Sequence, residues 1–398
     1  MVSIWRLLMI EGQEGGQTKS RLTYGMIGGG QGAFIGDVHR KAIAMDGVAD
    51  LAAGCFSQDF DNTLKTGESL RLEKERLYKN FKEMFASEKE RKDKLDFVVI
   101  VIPNNSHFSA AKLALESGIH VVCDKPLTTS SRDAEELARL AADKDLLFMV
   151  TYAYSGYPIV KHAKEMVSHG DLGEIRFVCA EYPQDWLATP LERSGQKQSV
   201  WRTDPEQIGV SNCVGDIGSH IENMVSFITG LNIRSLCARL DTFVEGRQLD
   251  DNASILVNYD KGAKGLYWSS QIAVGFDNGF RVRIFGTKAS IDWCQESPNY
   301  LKVSYLDKPS EIISRGRTEL YPNAQKYSRI PSGHPEGYYE AFANLYTAFG
   351  LALNKKLRGE TLSNEDLDFP DIYAGVRGVK YIEKCVESSK AGATWIDL

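Results

Sequence analysis

Two short segments of this chain carry residue types that could move a proton to or from a hydroxyl group. The first is Asp124-Lys125-Pro126, which directly follows an apolar run typical of a short buried strand. In the second, Asp216 precedes His220 by four positions, so both side chains share one face of a helical turn. Histidine titrates near neutral pH and can take a proton from an alcohol, while a lysine can stabilise the oxygen that loses it.

Each segment also has an ordinary structural explanation. The Asp-Lys pair can be the solvated end of a strand, and Asp216 with His220 can be a helix cap beside a buried histidine. A lysine at the carboxyl end of a parallel strand, however, points into the crevice where open α/β sheets bind their ligands. The elements that carry the two segments therefore decide which explanation holds.

A third segment, residues 28–33, is a glycine loop with the spacing G-x-G-x-x-A between a predicted strand and a predicted helix. Glycines at these places permit a tight turn and bring backbone N–H groups to a pyrophosphate at the amino end of the helix. This context favours a dinucleotide site over a flexible turn. No carboxylate follows the second predicted strand before Asp59, so the choice between NAD and NADP stays open.

The elements around these segments predict two domains of the α/β class. Strands alternate with helical patterns in the first third of the chain, which indicates a Rossmann-type, doubly wound parallel sheet. Later strand candidates with period-two patterning indicate an α+β domain with a large, mostly antiparallel open sheet. We predict an extension at 1–20, a dinucleotide-binding domain at 21–153 and a substrate-binding and oligomerisation domain at 154–398. Residues 65–94, rich in Lys, Glu and Arg, predict a solvated helical region.

Composition excludes several classes of protein. Of the 398 residues, 43% are hydrophobic and 25% are charged, as in globular proteins, and the net charge of -6 argues against nucleic-acid binding. Seven dispersed cysteines without a Cys-x-x-Cys pair indicate reduced thiols in a cytoplasm. We find neither metal-ligand spacing nor a run long enough to cross a membrane, so we predict no metal and no membrane partner.

From about residue 22 to the carboxyl terminus, the chain resembles the glucose-fructose oxidoreductase/inositol dehydrogenase family, often written Gfo/Idh/MocA. The resemblance rests on the glycine loop, Pro103-Asn104 followed by His107, the tripeptide Asp124-Lys125-Pro126, Trp201-Arg202 and the Gly-Asp-x-Gly-x-His segment that ends at His220. There are two departures from the family pattern. The glycine loop is about three residues longer than usual, and the tripeptide carries Asp124 where glutamate is commoner.

The resemblance implies that Lys125, Asp216 and His220 are the catalytic residues. Lys125 would lie beside the nicotinamide and the substrate hydroxyl, His220 would be the general acid/base, and Asp216 would hold the substrate or the histidine. We assign NAD or NADP binding to Gly28, Gly30, Gln31, Ala33, Phe34, Ile35, Ser57, Pro103, Asn104, His107, Asp124 and Lys125. We assign substrate binding to Lys125, Tyr154, Trp201, Arg202, Asp216, His220 and His334.

Three of the substrate assignments have structural alternatives. Tyr154 can fill the core, Arg202 can form a structural salt bridge, and His334 can simply stand at the start of a helix. The leading hypothesis is a nicotinamide-dependent dehydrogenase that acts on a secondary alcohol of a cyclic polyol or sugar, as a homodimer or homotetramer. The alternatives are a non-catalytic dinucleotide-binding regulator of the same fold and a glycosidase that uses NAD transiently.

Overall fold

The computed structural model describes residues 21–398, which form two compact units. The first unit contains residues 21–128, 132–156 and 338–375, and the second contains residues 129–131, 157–337 and 376–398. The polypeptide therefore returns to the first unit after residue 337. Our predicted division into consecutive domains does not include this return. The predicted extension at 1–20 lies outside the described residues.

The first unit is built on a five-stranded parallel sheet in the order β2-β1-β3-β4-β5. Its strands are β1 (Leu22–Gly28), β2 (Ala49–Cys55), β3 (Phe97–Val101), β4 (His120–Cys123) and β5 (Phe148–Val150). Every residue of β3, β4 and β5 is buried, as expected for a parallel sheet covered by helices on both faces. The strand order reverses between β1 and β3, where doubly wound sheets bind their ligands. The predicted Rossmann-type sheet is confirmed.

Five helices connect these strands. They are α1 (Phe34–Met45), α2 (Phe60–Ser69), α3 (Phe81–Lys89), α4 (His107–Glu116) and α5 (Ser131–Asp143). The charged region 65–94 thus holds the end of α2 and the whole of α3, with a 3-10 turn at Lys74–Arg76 between them. Arg76 Nε donates to the buried carboxylate of Glu88 at 3.0 Å, so part of this region belongs to the packed interior.

The second unit is built on a nine-stranded sheet in the order β13-β12-β11-β10-β6-β9-β8-β7-β14. The strands are β6 (Ile175–Pro183), β7 (Ile233–Asp241), β8 (Asn252–Tyr259), β9 (Lys264–Ser270), β10 (Arg281–Gly286), β11 (Ala289–Cys294), β12 (Tyr300–Tyr305), β13 (Glu311–Ser314) and β14 (Ile396–Asp397). β6 and β9 pair in parallel, and the other neighbours pair antiparallel. Burial alternates along β8, as expected when helices cover one face of a sheet. The predicted large, mostly antiparallel sheet is confirmed.

Five helices of the second unit precede residue 337. They are α6 (Pro158–Ser168), α7 (Lys197–Arg202), α8 (Pro205–Ile208), α9 (Ser219–Thr229) and α10 (Pro322–Gln325), and a π-helical turn at Val214–Gly218 runs directly into α9. Among residues 21–398, no helix combines the length and apolar character that a membrane span needs.

Two long helices complete the chain, α11 (Tyr338–Leu357) and α12 (Ile372–Lys390). α11 belongs to the first unit and packs on α1, where the Tyr346 hydroxyl lies 2.5 Å from Nδ1 of the buried His39. The Thr347 hydroxyl donates to Asp46 at 2.9 Å, just after α1. These contacts help explain why residues 338–375 are part of the first unit.

Candidate active site

The glycine loop turns sharply after β1 because several of its positions leave no room for a side chain. Gly28 and Gly29 have φ angles of 86° and 74°, which side chains rarely permit. A Cβ on Gly28 would lie 2.4 Å from the Val101 carbonyl oxygen, and one on Gly36 would lie 2.3 Å from Cα of Gly29. The close packing of helix on loop therefore occurs at Gly36, three residues after the Ala33 of the predicted spacing.

Hydrogen bonds to neighbouring elements hold the loop in this shape. The Gly30 N–H donates to the Phe56 carbonyl at 3.0 Å. The Gln31 N–H donates to the side chains of Asn62 and Thr66 in α2, at 3.1 and 3.0 Å. The Arg40 guanidinium donates to the Gly29 carbonyl at 2.7 Å. The loop is thus preorganised by the side chains of α1 and α2.

The amino end of α1 is open toward a ligand. Ala33 occupies the N-cap without a side-chain hydrogen bond, and the first N–H groups of a helix have no partner within it. A Cβ on Gly32 would meet no atom within 4 Å, and 64% of Phe34 is exposed. Open N–H groups beside an uncrowded glycine fit the diphosphate of a dinucleotide. The predicted contacts Gln31, Ala33 and Ile35 border this opening.

The other predicted cofactor residues follow the carboxyl ends of three further strands. Because the sheet is parallel, these ends lie at the same edge as the glycine loop. The residues are Ser57 after β2, Pro103, Asn104 and His107 after β3, and Asp124 and Lys125 after β4. The structure thus brings the predicted residues together at one edge of the sheet, while their contacts with the cofactor stay predictions.

The end of β2 has an unusual arrangement for a dinucleotide site. Ser57 is half-buried, and its hydroxyl accepts the Asp59 N–H at 3.1 Å. The first carboxylate after the strand, Asp59, caps α2 by accepting the Asp61 N–H at 3.0 Å. That carboxylate is therefore engaged in the helix cap, and the chain lacks the usual acidic partner of the ribose hydroxyls within residues 53–58.

His107 connects the loops that follow β3 and β4. Its Nδ1 lies 2.9 Å from the Pro126 carbonyl oxygen, and its Nε2 lies 2.8 Å from that of Ile102. Burial lowers the pKa of the imidazole, opposed by the nearby Asp124 and by the backbone carbonyls. Since both ring nitrogens face protein carbonyls, the predicted cofactor contact of His107 does not use them.

The turn that carries Lys125 is shaped by the preceding carboxylate. Asp124 Oδ1 accepts the Lys125 N–H at 2.9 Å and the Thr151 hydroxyl at 2.9 Å. The Lys125–Pro126 peptide bond is cis, and the Lys125 side chain is half-buried. Tyr154, the predicted substrate residue of the first unit, is buried in the turn after β5, with its ring centroid 6.3 Å from that of Tyr338.

In the second unit, Asp216 lies on the π-helical turn and is held by two side chains. Gln271 Nε2 donates to Asp216 Oδ2 at 3.0 Å, and Arg202 Nε lies 3.4 Å from the same oxygen. The Arg202 guanidinium also stacks on Trp201, 4.3 Å from the ring centroid. Arg202 therefore forms a salt bridge, as its structural alternative predicted. Its partner is the carboxylate of Asp216, a predicted catalytic residue. π-helical turns recur at functional sites.

His220 lies at the start of α9, directly after the π-helical turn. The residue is 8% exposed, and its ring centroid lies 6.1 Å from that of Tyr182 at the end of β6. Tyr182 is itself stacked on Phe280 at 4.7 Å. Aromatic rings thus flank the imidazole on the side of the sheet.

His334 is placed differently from the other predicted substrate residues. It is exposed, in the loop before α11, and its carbonyl oxygen accepts a hydrogen bond from Arg315. Arg315 and Glu336 form a buried ion pair at 2.7 Å that anchors the loop. Within the described part of the chain, the imidazole of His334 forms no hydrogen bond, so its substrate role stays a prediction.

Sequence reasoning missed Gln271, and it used Gly36 only as a reference for the length of the glycine loop. The spacing of Gly36 from the first glycines would have revealed its packing role. No local pattern points to Gln271, because it lies 55 positions from Asp216. Over residues 21–398, no group of three or more His, Cys, Asp and Glu residues is arranged to hold a metal ion.

Comparisons with known proteins agree with this arrangement. The model for the oxidoreductase family with an NAD-binding Rossmann fold matches residues 22–152, and the GFO/IDH/MocA C-terminal domain model matches residues 160–292. The uncharacterised oxidoreductase YfiI of Bacillus subtilis is 36% identical over 379 residues, 94% of this chain and 96% of that protein. A levoglucosan dehydrogenase of Pseudarthrobacter phenanthrenivorans is 25% identical over 335 residues, 76% and 79% of the two chains.

A solved structure shows the same fold over nearly the whole length. An inositol dehydrogenase homolog from Azotobacter vinelandii, complexed with NAD+, is 35% identical with a TM-score of 0.91 and covers 96% of this chain and 98% of its own. A structure of such a homolog from the same organism, complexed with NADH and myo-inositol, has a TM-score of 0.88 at 35% identity and the same coverage. With the glycine loop and both family models matched, this chain belongs to the Gfo/Idh/MocA family of NAD(P)-dependent oxidoreductases.

Proposed function

We propose that this enzyme oxidises a secondary alcohol of a cyclic polyol or sugar to a ketone, or catalyses the reverse reduction. The observation that carries the proposal is the group in the second unit: a carboxylate held by Arg202 and Gln271, one turn before the buried His220. Such a group suits proton exchange with a hydroxyl. The complex of a similar protein with NADH and myo-inositol and the similarity to a levoglucosan dehydrogenase support a ring-shaped, hydroxyl-rich substrate.

In the oxidative direction, His220 takes the proton of the reacting hydroxyl as general base. Asp216 orients the histidine or a substrate hydroxyl, and Lys125 hydrogen-bonds the reacting oxygen and stabilises its developing negative charge. A bound nicotinamide dinucleotide would supply the acceptor for the hydride that leaves the carbinol carbon. The glycine loop and the open amino end of α1 would hold the diphosphate of the cofactor.

The test is a substrate screen combined with one variant. Purified enzyme is assayed with NAD and NADP separately against inositols, anhydrosugars, aldoses and glycosides, because the end of β2 leaves the choice of cofactor open. For an accepted substrate, His220→Ala should lower kcat about 10³-fold, since general base catalysis contributes 10²- to 10⁴-fold. Cofactor affinity and melting temperature should stay near the wild-type values.

A matched control is His169→Ala, which removes a largely exposed histidine of the same unit and should leave kcat unchanged. Wild-type turnover by His220→Ala would refute the assignment of the base. Release of a reducing sugar without net NADH formation would identify the glycosidase alternative. Tight cofactor binding without turnover of any substrate in the screen would favour the regulator.

We also propose that the exposed face of the nine-stranded sheet joins copies of this chain. Phe285, Phe177, Leu266 and Leu256 lie on four neighbouring strands, and each of these side chains is 38–48% exposed. A contiguous apolar patch of this kind marks an interface. Light scattering should find a dimer or tetramer, and Leu266→Lys should dissociate it, whereas a wild-type monomer would refute the proposal. The cytoplasmic location stays a prediction.

A further inference from the structure

A buried chain of hydrogen bonds leads from Asp216 into the interior of the second unit. Gln271 Nε2 donates to Asp216 Oδ2 at 3.0 Å, and Asn212 Nδ2 donates to Gln271 Oε1 at 2.8 Å. The backbone N–H of Asn212 then donates to Asp250 Oδ1 at 3.0 Å. Gln271 is fully buried and Asn212 is 1% exposed. The connection therefore runs through side chains that are shielded from water.

The donors and acceptors of these residues allow only one direction for this series of hydrogen bonds. An ionised carboxylate only accepts hydrogen bonds, so Gln271 must turn its NH2 group toward Asp216. Its carbonyl oxygen is then left to accept the NH2 group of Asn212. The two amides thus point their donors toward the predicted catalytic carboxylate.

The backbone of Gln271 is anchored on both sides, at the residue after β9. Its N–H donates to the Asp251 carbonyl at 2.9 Å, and its own carbonyl accepts the Leu187 N–H at 3.0 Å. A side chain on so fixed a backbone has little freedom to move away from Asp216. The amide is therefore preorganised and gives the carboxylate one well-defined position.

Asp250 lies at the other end of this series of hydrogen bonds. Its Oδ2 accepts the Ser211 hydroxyl and the Val214 N–H, both at 3.0 Å, and its carbonyl oxygen accepts the Cys213 N–H at 3.1 Å. These bonds hold residues 211–214, which lead directly into the π-helical turn that carries Asp216. One network thus positions both the turn and the carboxylate on it.

We propose that Gln271 is a positioning residue for the reaction and acts through Asp216. The inference rests on the proposed function, in which Asp216 serves His220 or the substrate. Gln271 forms a hydrogen bond of ordinary length to Asp216 Oδ2, and Arg202 Nε lies 3.4 Å from the same oxygen. Gln271 therefore sets where the carboxylate lies, and Arg202 supplies compensating charge.

The experiment begins with Gln271→Met, which keeps the length and volume of the side chain but removes the donor. We expect kcat to fall roughly 10- to 100-fold, because a hydrogen bond to a charged group is lost. NAD affinity, measured by fluorescence titration, should change less than about twofold. The matched control is Gln207→Met, which removes a similar amide-to-carboxylate bond, of 2.7 Å to Asp204, and should leave kcat unchanged.

A double-mutant cycle separates positioning from a structural role. If Gln271 acts through Asp216, adding Gln271→Met to an Asp216→Ala enzyme should lower kcat no further than about twofold. A full additional loss of 10-fold or more would overturn the inference, as would wild-type kcat in Gln271→Met. The cycle needs only measurable turnover, so it remains informative if His220→Ala proves active and refutes the proposed general base.

A second variant covers the case in which Gln271→Met does not fold. Gln271→Glu keeps the acceptor for Asn212 and replaces the donor that faces Asp216 by a carboxyl oxygen. It should fold, and its kcat should fall at least 10-fold at pH 8. A folded Gln271→Glu enzyme with wild-type kcat would equally overturn the inference.

Discussion

The turns that carry Lys125 and His220 are held in place by different means. In the first unit, the half-buried Asp124 accepts the Lys125 N–H and the Thr151 hydroxyl. The His107 ring lies against the carbonyl oxygens of Ile102 and Pro126. The glycine loop of that unit is shaped by close steric packing and by hydrogen bonds with side chains of α1 and α2. In the second unit, the turn before His220 depends on buried ionisable and amide side chains, with Asp250 at their centre.

This difference predicts a difference in tolerance to substitution. Asp124 is half-buried, so water can partly replace its hydrogen bonds when it is substituted. A turn held by buried side chains leaves several groups unpaired when one member is lost, and each unpaired group costs about 1–3 kcal/mol. The second unit should therefore be the more sensitive of the two to polar substitutions near its turn.

The largest effect should follow Asp250→Ala. The substitution removes three hydrogen bonds and leaves the N–H groups of Asn212 and Val214 buried without their acceptor. We expect the free energy of unfolding to fall by about 4 kcal/mol, as measured by urea denaturation. Asp307→Ala, at an exposed carboxylate, is the control and should change stability by less than about 0.5 kcal/mol. Equal effects of the two variants would refute the central role of Asp250.

A second prediction concerns Glu222, buried in α9 with Arg377 Nε 3.9 Å from its Oε1. Burial raises the pKa of its carboxyl to about 7, opposed by Arg377. Since the unfolded chain ionises this group near pH 4.5, the fold loses stability as the pH rises from about 4.5 to 7, and no more above that. Glu222→Gln should therefore stabilise the protein by up to about 3 kcal/mol at pH 8 and by little at pH 4.5.

Urea denaturation of Glu222→Gln at both pH values checks this. The control is Glu387→Gln, which removes an exposed carboxylate and should have no pH-dependent effect on stability. A stabilisation of equal size at pH 4.5 and pH 8 would show that the ionisation of Glu222 is not its cause. The result would sharpen the comparison, because it measures what burial of charge costs the second unit.

The smallest effect should come from His107→Leu in the first unit. Because burial lowers the pKa of His107, the imidazole is neutral near pH 7 and its single N–H donates to one of the two carbonyl oxygens. A leucine fills much of the same volume but leaves that oxygen without its donor, so we expect a loss of about 2 kcal/mol. His107→Gln, which keeps one amide donor, should recover about half of that loss. Thermal unfolding measures the effect on the stability of the fold. The KM for the alcohol measures the effect on the Lys125 turn. A loss larger than that of Asp250→Ala would reverse the comparison.

Much of the fold follows from local patterns. The alternation of strands and helices predicts the parallel sheet, and period-two patterning predicts the antiparallel one, since burial on one face or two is visible in neighbouring residues. Local charge was less informative in residues 65–94, predicted to be solvated. Arg76 and Glu88 are buried there because they pair with each other, and such pairing cannot be deduced from composition.

The sequence by itself determined the family, the cofactor class and the candidates Lys125, Asp216 and His220, because each belongs to a short motif whose spacing is meaningful without the fold. Only the tertiary structure decided how those residues are held. Gln271 reaches Asp216 from 55 positions away, and Gly36 of α1 packs on Gly29 of the glycine loop. The reason is physical: turn and helix chemistry acts between near neighbours, whereas a buried polar group takes whichever partner folding brings to it.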